Sequence, residues 1–559
     1  MSVGSDNRRA DRPGGLNRRR HGVLAHETDA LILGSGAAGL TAALAAAVAG
    51  LRVTVLEKAD VVGGTSAMSG AGTWIPANHH AAAAGIADSP EEALAYIRAA
   101  APPGWAERED ALWQRLVEAS APMLRFVEEH SPLRFALTPE PDPLRDLPGA
   151  KPRGRMVSPL PLSRFRAGRF ASRIRKSQIP ELFTYHEAVE TDLYHHPYRT
   201  AWQLWPRLLW RLLTNTRGKG TALIVGLIRG CLDAGVRIET GARAVELLKD
   251  RMGTVTGALV EQRGVTERVT ARRGVVIATG GFEWDAERLE RHFPGGADYL
   301  GSAPTNTGDG HRMAEAVGAA LDRMDQATLS PCIPVRHEGR IMAQPVPFHT
   351  EPNAILVNRH GLRFVNELTF NIGEALDARD ADGRPVNQPC WVISDELLPY
   401  RLPPARWAAQ ADPSWLHRDD TIAGLAARIG LDPAVLEATV ARYNAACAEG
   451  RDGDFGRPSA ADAAAKGDKR RRGGLEPIER APFLAMPFSR SILGTKGGPR
   501  TDDRARVLDV EGHVIPGLFA AGASSANPIG TRGVGAGTTI GPYMTWGYVA
   551  GTEIARRNR

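Results

Sequence analysis

Gly34-Ser35-Gly36-Ala37-Ala38-Gly39 follows at once on the apolar residues 30–33, and Glu57 ends a second apolar run at 51–56. Residue types at this spacing suit a phosphate and a ribose. Gly34 permits a tight turn, Gly36 lets the backbone approach a pyrophosphate, and Gly39 allows close packing of helix on strand. The N–H groups at the helix start face negative charge, and Glu57 accepts hydrogen bonds from an adenosine ribose. A glycine hexad alone is weak. Here strand, turn, helix, strand and carboxylate occur in the order that a dinucleotide site requires.

Residues 30–33 and 51–56 read as strands buried on both faces, joined by the alanine-rich helix 40–48. Residues 236–239 and 274–277 read as further strands, the latter ending in Ala278-Thr279-Gly280-Gly281. Residues 515–522 give another strand and turn, ending at Gly522, and 535–542 lead into a closing helix. The chain has 559 residues, 43% hydrophobic and 24% charged, which excludes a disordered chain and a disulfide-stapled module. Length suggests three or four folding units. A net charge of +6 on so long a chain is mild and does not argue for nucleic acid. Four scattered cysteines form no metal or haem motif, so no metal site is expected, and a reducing, cytoplasmic setting fits. The arginine-rich first twenty residues lack an apolar segment and read as a disordered tail rather than an export signal.

The second glycine-rich stretch, Lys58 to Gly72 (KADVVGGTSAMSGAG), follows directly on the ribose carboxylate. With it the sequence resembles the flavoprotein family of fumarate reductase flavoprotein subunits and 3-ketosteroid dehydrogenases. Later motifs fit in order: ATGG at 278–281, TNTGDG at 305–310 with Asp309, GLRFVNE at 361–367, LGTKGG at 493–498, IPGLFAAG at 515–522 and GAGTTIGP at 535–542. The resemblance implies FAD, held by Lys58, Gly64, Thr65, Ser66, Ala71 and Gly72 along the diphosphate and flavin. It adds Ala244 over the adenine, Ala278, Thr279 and Gly280, Asp309, Gly522, and Gly537, Thr538 and Thr539 at the flavin pyrimidine. It also implies an α/β architecture. A Rossmann-like FAD-binding domain is built from residues 29–299 and 489–559, an α+β substrate (capping) domain of 300–488 is inserted, and 1–28 form the tail.

In the ketosteroid branch, tyrosines serve as base and donor and a glycine N–H as second donor. This sequence has Pro143, Gly533 and a position near Phe370 where the family carries tyrosines; the glycine stands at Gly537. Arg532, beside one lost tyrosine, could bind a carboxylate or an enolate, or pair with a structural carboxylate. Lys496 lies in a glycine-flanked turn expected near the flavin. His186, His195, His196 and His349, with Tyr185 and Tyr194, are either bases or packing residues. The resemblance implies dehydrogenation of a carbon–carbon bond beside a carbonyl in a steroid-like or other bulky apolar ketone, with electrons passing to an acceptor. Reduction of an activated alkene, or flavin binding without turnover, are the alternatives. Residues 202–213, with three tryptophans and two arginines, read either as a helix at a membrane surface or as one packed on the protein with arginines outward. Residues 451–474, with Lys469-Arg470-Arg471-Arg472, read as a solvated loop.

Overall fold

The computed structural model describes residues 27–459 and 474–557. The basic stretches at 1–26 and 469–472 lie outside these residues. The expected tail boundary at 28 moves: Glu27 and Thr28 already pair with Thr270 and Ala271, so the first strand is Glu27–Leu33.

Glu27–Leu33 pairs in parallel with Val53–Glu57 on one side and with the end of Val265–Ile277 on the other. The closing strand Val514–Ala520 joins the same sheet, with Val276 opposite Phe519. Both chain ends therefore build one doubly covered sheet. Alternation explains the unbroken apolar run. Ala30 and Ile32 enter the core beneath the helices on one face, whereas Leu31 and Leu33 enter a second core with Val260, Val275 and Met313 on the other.

The opening helix Ala37–Val48 and the closing helix Ile540–Arg556 lie in contact. A Cβ at Gly547 would stand 2.3 Å from the Ala38 carbonyl, and one at Gly551 the same distance from that of Ala42. Alanines on one helix and glycines on the other allow the backbones this approach, and that contact draws the two termini together.

Between the chain ends lies a second unit. Its four-stranded antiparallel sheet orders Ile355–Val357, Trp391–Ser394, Phe483–Pro487 and His417–Asp419, and it has its own cores around Phe348, Trp415 and Leu436. Ser491–Thr495 pairs with Tyr299–Leu300 and with Ala327–Leu329, a small sheet at the passage between the two units. The architecture is α/β, as the sequence resemblance implies.

Candidate active site

One elongated cavity runs along the carboxyl ends of the parallel strands, where open α/β sheets bind ligands. Gly34, Ser35, Gly36, Ala37 and Ala38 line it, with Glu57 and Lys58, Gly64, Thr65 and Ser66, Ala244, Ala278, Thr279, Gly280, Asp309, Gly522 and Thr539. These are expected site residues from eight separate stretches of the chain. Gly39 stands behind the wall, where a Cβ would lie 2.1 Å from the Gly34 carbonyl oxygen. Its part is to let the helix close on the turn.

Local hydrogen bonds fix the cradle. Ser35 donates to Glu57 Oε2 from both its hydroxyl (2.7 Å) and its N–H (3.2 Å), and Ala59 N–H donates to Oε1 at 3.0 Å. The helix 37–48 has no side-chain cap of its own. Ser66 Oγ takes the Ala37 N–H at 3.0 Å, which ties the second glycine stretch to the first. Asp309 accepts from Lys58 Nζ at 2.9 Å and from Arg243 at 3.1 Å. Burial pushes the Asp309 carboxyl up, but the hydrogen bonds from Arg243 and Lys58 outweigh it and hold the group below its usual range. The charged side chains on the cavity wall are Glu57, Lys58, Arg243 and Asp309, which gather at the end of the Val53–Glu57 strand.

Away from that cluster the wall is neutral. Met68, Ile179, Pro345, Leu493 and Ile540 form it, with Thr328 beside Thr539. Tyr543 also reaches the cavity, and burial raises its phenol pKa, with Glu283 adding to the effect. Gln178 Oε1 and Thr279 Oγ1 are buried on cavity-lining residues with no hydrogen-bond partner. Polar atoms left so are expected where a ligand completes the set. The glycine cradle, the ribose carboxylate and these orphaned oxygens fit a dinucleotide.

Other expected residues lie off the wall. Gly537 has φ +85°, and a Cβ there would stand 2.7 Å from the Gly72 carbonyl carbon, so the opening and closing glycine stretches touch at this point. Ala71 and Gly72 carry that contact into Thr73–Trp74, and Thr538 folds its hydroxyl back onto the Gly535 carbonyl at 2.7 Å. Arg532 does not reach the cavity. Its guanidinium is bidentate to Glu374, at 2.8 and 2.9 Å, and a third bond goes to the Ala100 carbonyl. Lys496 is buried, with Nζ on the Gly530 carbonyl, and burial lowers its pKa to about 8. Both side chains tie segments together, and neither lines the cavity.

The histidines are also engaged elsewhere. His195 bridges Asp192 and Glu351, each at 2.8 Å. His186 pairs with Glu190, and His196 lies at the start of the helix Pro197–Leu213. His349 is packed against Phe488, and burial lowers its pKa to about 3. Tyr194 is half-buried against the core of the second unit, and desolvation raises its phenol to about 12. The Tyr185 ring packs on Gly70 and Gly72, and its hydroxyl donates to Glu140 at 3.0 Å.

Two of the positions without tyrosine adjoin each other: a Cβ at Gly533 would lie 3.5 Å from Phe370. The third, Pro143, follows Asp142, which accepts from Trp74 Nε1 at 3.0 Å and from Arg155 at 2.8 Å. His79, His80 and Glu128 form the one cluster among the described residues with metal-ligand types close together. Both imidazole Nε2 atoms already meet the carboxylate, at 2.6 and 3.0 Å. Metal on His79 Nε2 would put the proton on Nδ1, which is buried without a partner. The cluster is complete as a hydrogen-bonded trio.

Comparison with known proteins assigns the class. Residues 29–540 match the family described as FAD binding domain, and the chain belongs to it. It is an FAD-dependent oxidoreductase. The chain is 37% identical to 4-oxocyclohexanecarboxylate 2-dehydrogenase of Sinomonas cyclohexanicum, over 94% of its own length and 92% of that protein. It is 34% identical to 3-oxosteroid 1-dehydrogenase of Mycobacterium tuberculosis, over 95% and 99% of the two chains. The structure of 3-ketosteroid delta1-dehydrogenase from Sterolibacterium denitrificans, in complex with 1,4-androstadiene-3,17-dione, superposes with a TM-score of 0.84 at 31% identity, covering 96% of this chain and all of that one.

Proposed function

We propose that this flavoenzyme removes two hydrogens from adjacent carbons next to the carbonyl of a cyclic, predominantly apolar ketone. Such a reaction needs a group to take the α-proton, donors for the carbonyl oxygen as it gains charge, and an acceptor for hydride. When bound, FAD supplies the hydride acceptor. The chain supplies the nucleotide cradle and the donors for the carbonyl oxygen. Ser35, Glu57, Ser66, Lys58 and Asp309 hold the nucleotide end, with Ala244, Ala278, Thr279, Gly280 and Gly522 closing around it. Thr538 and Thr539 lead into the closing helix, whose N-terminal amides favour negative charge on the ring system beside them. The Gly537 N–H, two residues before Thr539 of the cavity wall, takes the place of the oxygen donor that the family resemblance implies. Tyr543, with its raised pKa, keeps its proton through the working range and acts as a donor rather than a base. Arg532 and Lys496 are positioning residues: each clamps a loop of the closing segment.

One observation carries the choice of an apolar ketone. Beyond the cluster at Glu57, Lys58, Arg243 and Asp309, the cavity wall presents no cation among the described residues. An acid such as fumarate needs one to offset its carboxylates, and Arg532 is committed to Glu374. The relatives named for an oxosteroid and an oxocyclohexanecarboxylate support the ketone class. Electrons leave to an acceptor. Apolar ketones partition into lipid, and the peripheral contact expected through residues 202–213 belongs to the same reading.

The test is an anaerobic titration of the purified yellow holoprotein. A 3-ketosteroid is expected to bleach the flavin absorbance, and 4-oxocyclohexanecarboxylate to do so weakly or not at all. Reoxidation of the reduced protein by fumarate but not by an unsaturated ketone would overturn the reading in favour of an alkene reductase. No spectral response to any of them would leave a flavin-binding protein without turnover.

A further inference from the structure

The helix Pro197–Leu213 is amphipathic in the opposite sense to a surface helix of a globular protein. Its protein face carries Thr200, Leu204 and Arg211, all buried. Arg211 is pinned there by Glu187, at 2.7 and 2.8 Å, and by the Leu182 carbonyl at 2.6 Å. The outward face carries Tyr198, Trp202, Trp205, Leu209 and Leu212, at successive spacings of four, three, four and three residues, which is one helical stripe. Trp202 is 77% exposed, Trp210 66% and Leu213 74%. At the helix end, Leu162–Ser163 pairs with Thr216–Arg217, and the chain just beyond it presents Phe165, 68% exposed.

Charge selects the occupant. Arg199 and Arg207 are the exposed charges of the helix, Arg211 being buried against Glu187, and the neighbouring stretch 164–176 exposes Arg166, Arg169, Arg173 and Lys176, with no acid in either stretch. A second copy docking through this face would set these arginines against their own images. An anionic bilayer surface complements them, and tryptophan and tyrosine rings suit the headgroup boundary. Among the described residues no helix is long and apolar enough to cross a membrane, so the contact lies in the interface plane.

We infer that this helix, with Phe165, seats the enzyme on an anionic phospholipid bilayer. The stripe Tyr198 to Leu212 sinks into the headgroup boundary, and Arg199, Arg207 and Arg166 meet lipid phosphates. The inference rests on the apolar-ketone reading for its purpose. The chain that leads into the helix also touches the site: Gln178 and Ile179 line the cavity, and His195 grips Glu351 of the second unit. A lipid-dissolved ketone is thereby delivered near the wall that receives it.

The test uses the FAD-loaded protein in flotation with vesicles of phosphatidylcholine alone or with about one-third phosphatidylglycerol. Binding to the anionic vesicles, weakened by salt, with a blue shift of tryptophan emission and quenching by brominated acyl chains, is the expected result. Changing Trp202→Glu and Trp205→Glu together lowers partitioning at least about tenfold while flavin absorbance and melting temperature hold. Should that pair fail to fold, Leu213→Glu, at the exposed end of the helix, must show a several-fold loss. Absence of binding to either vesicle, undiminished binding in the variants, or a concentration-dependent dimer that they abolish would each overturn the inference. Flavin bleaching by a ketone in vesicle-free buffer separates the two ideas. Bleaching without vesicle binding sinks the docking alone, and vesicle binding without bleaching sinks the ketone reading alone.

Discussion

Lys496 is a buried cation whose partner is a neutral carbonyl, that of Gly530. Burial lowers its pKa from the ordinary 10.5 to about 8. Below pH 8 folded and unfolded chains both carry the proton, and the whole cost of burying the charge weighs on the fold. Between pH 8 and 10.5 the unfolded chain binds more protons, so stability rises with pH. Across that window the gain from this one group is about 3 kcal/mol. Lys496→Met keeps the apolar stem and removes the charge, while leaving the Gly530 carbonyl unpaired at a cost of about 1–3 kcal/mol. At pH 7 the variant is therefore as stable as the parent or more so, and at pH 10 the order reverses. The difference between the two proteins changes by about 2–3 kcal/mol from pH 7 to pH 10. Urea denaturation of both holoproteins, followed by circular dichroism at a series of pH values, measures it, and the other titrating groups, among them Lys219, a second buried lysine with its pKa lowered to about 8, cancel in the comparison. Parallel profiles would refute the argument, because they would mean that the ammonium is solvated or paired with a carboxylate.

Three further outcomes follow from the cradle and its supports. Glu57→Gln can keep an oxygen on the two Ser35 donors but turns an NH2 toward the Ala59 N–H and the ribose side, and it is expected to weaken FAD binding to the apoprotein by about tenfold or more, read by quenching of flavin fluorescence; an unchanged affinity would remove Glu57 from the nucleotide site. Gly39→Ala places a Cβ 2.1 Å from the Gly34 oxygen, so helix and turn must separate. Its purified protein is expected to lose flavin and at least about 3 kcal/mol of stability, and a yellow variant with the parental melting temperature would contradict the packing. Arg532→Ala removes an ion pair that is one-third exposed on both sides, worth under about 1 kcal/mol, and is expected to lower kcat by less than about threefold with KM unchanged. A hundredfold fall in kcat at an unaltered melting temperature would put the guanidinium back on the reacting oxygen.

The nucleotide end was legible in the sequence because its requirements are local. Gly34, Gly36, Gly39 and Glu57 fall within one strand–helix–strand unit, where spacing dictates geometry. The convergence of the two chain ends was readable only through resemblance. Its physical cause, glycines of the closing helix seated on alanine carbonyls of the opening one, is a long-range contact that no local pattern announces. Gln178, Ile179, Thr328 and Pro345 escaped notice for the same reason: each comes to the wall from a segment with no motif of its own. Arg532 and Lys496 were singled out by chemistry and neighbourhood. On sequence alone either role suits Arg532; Glu374, 158 residues away in the chain, decides for the structural one.

The helix at 197–213 shows what periodicity can and cannot decide. The spacing of Tyr198, Trp202, Trp205, Leu209 and Leu212 establishes a stripe, but a stripe has no inside or outside until the helix meets a surface. The ordinary expectation turns tryptophans inward and arginines outward, because burying a guanidinium costs several kcal/mol unless it is paired. Glu187 meets that condition. Held by the capping box with Thr184, its carboxylate faces Arg211 with both oxygens and offsets the desolvation of the guanidinium. With the polar side of the helix fastened to the protein, the aromatic side has nowhere to go but out. A single buried carboxylate, set 24 residues before its partner, thus decides which face of the helix the solvent sees. Arg211→Leu together with Glu187→Leu would remove that constraint; the expected result is a folded protein whose vesicle binding falls as the helix turns its tryptophans toward the core. Binding that persists at the parental level would show that the stripe faces outward for reasons other than this ion pair.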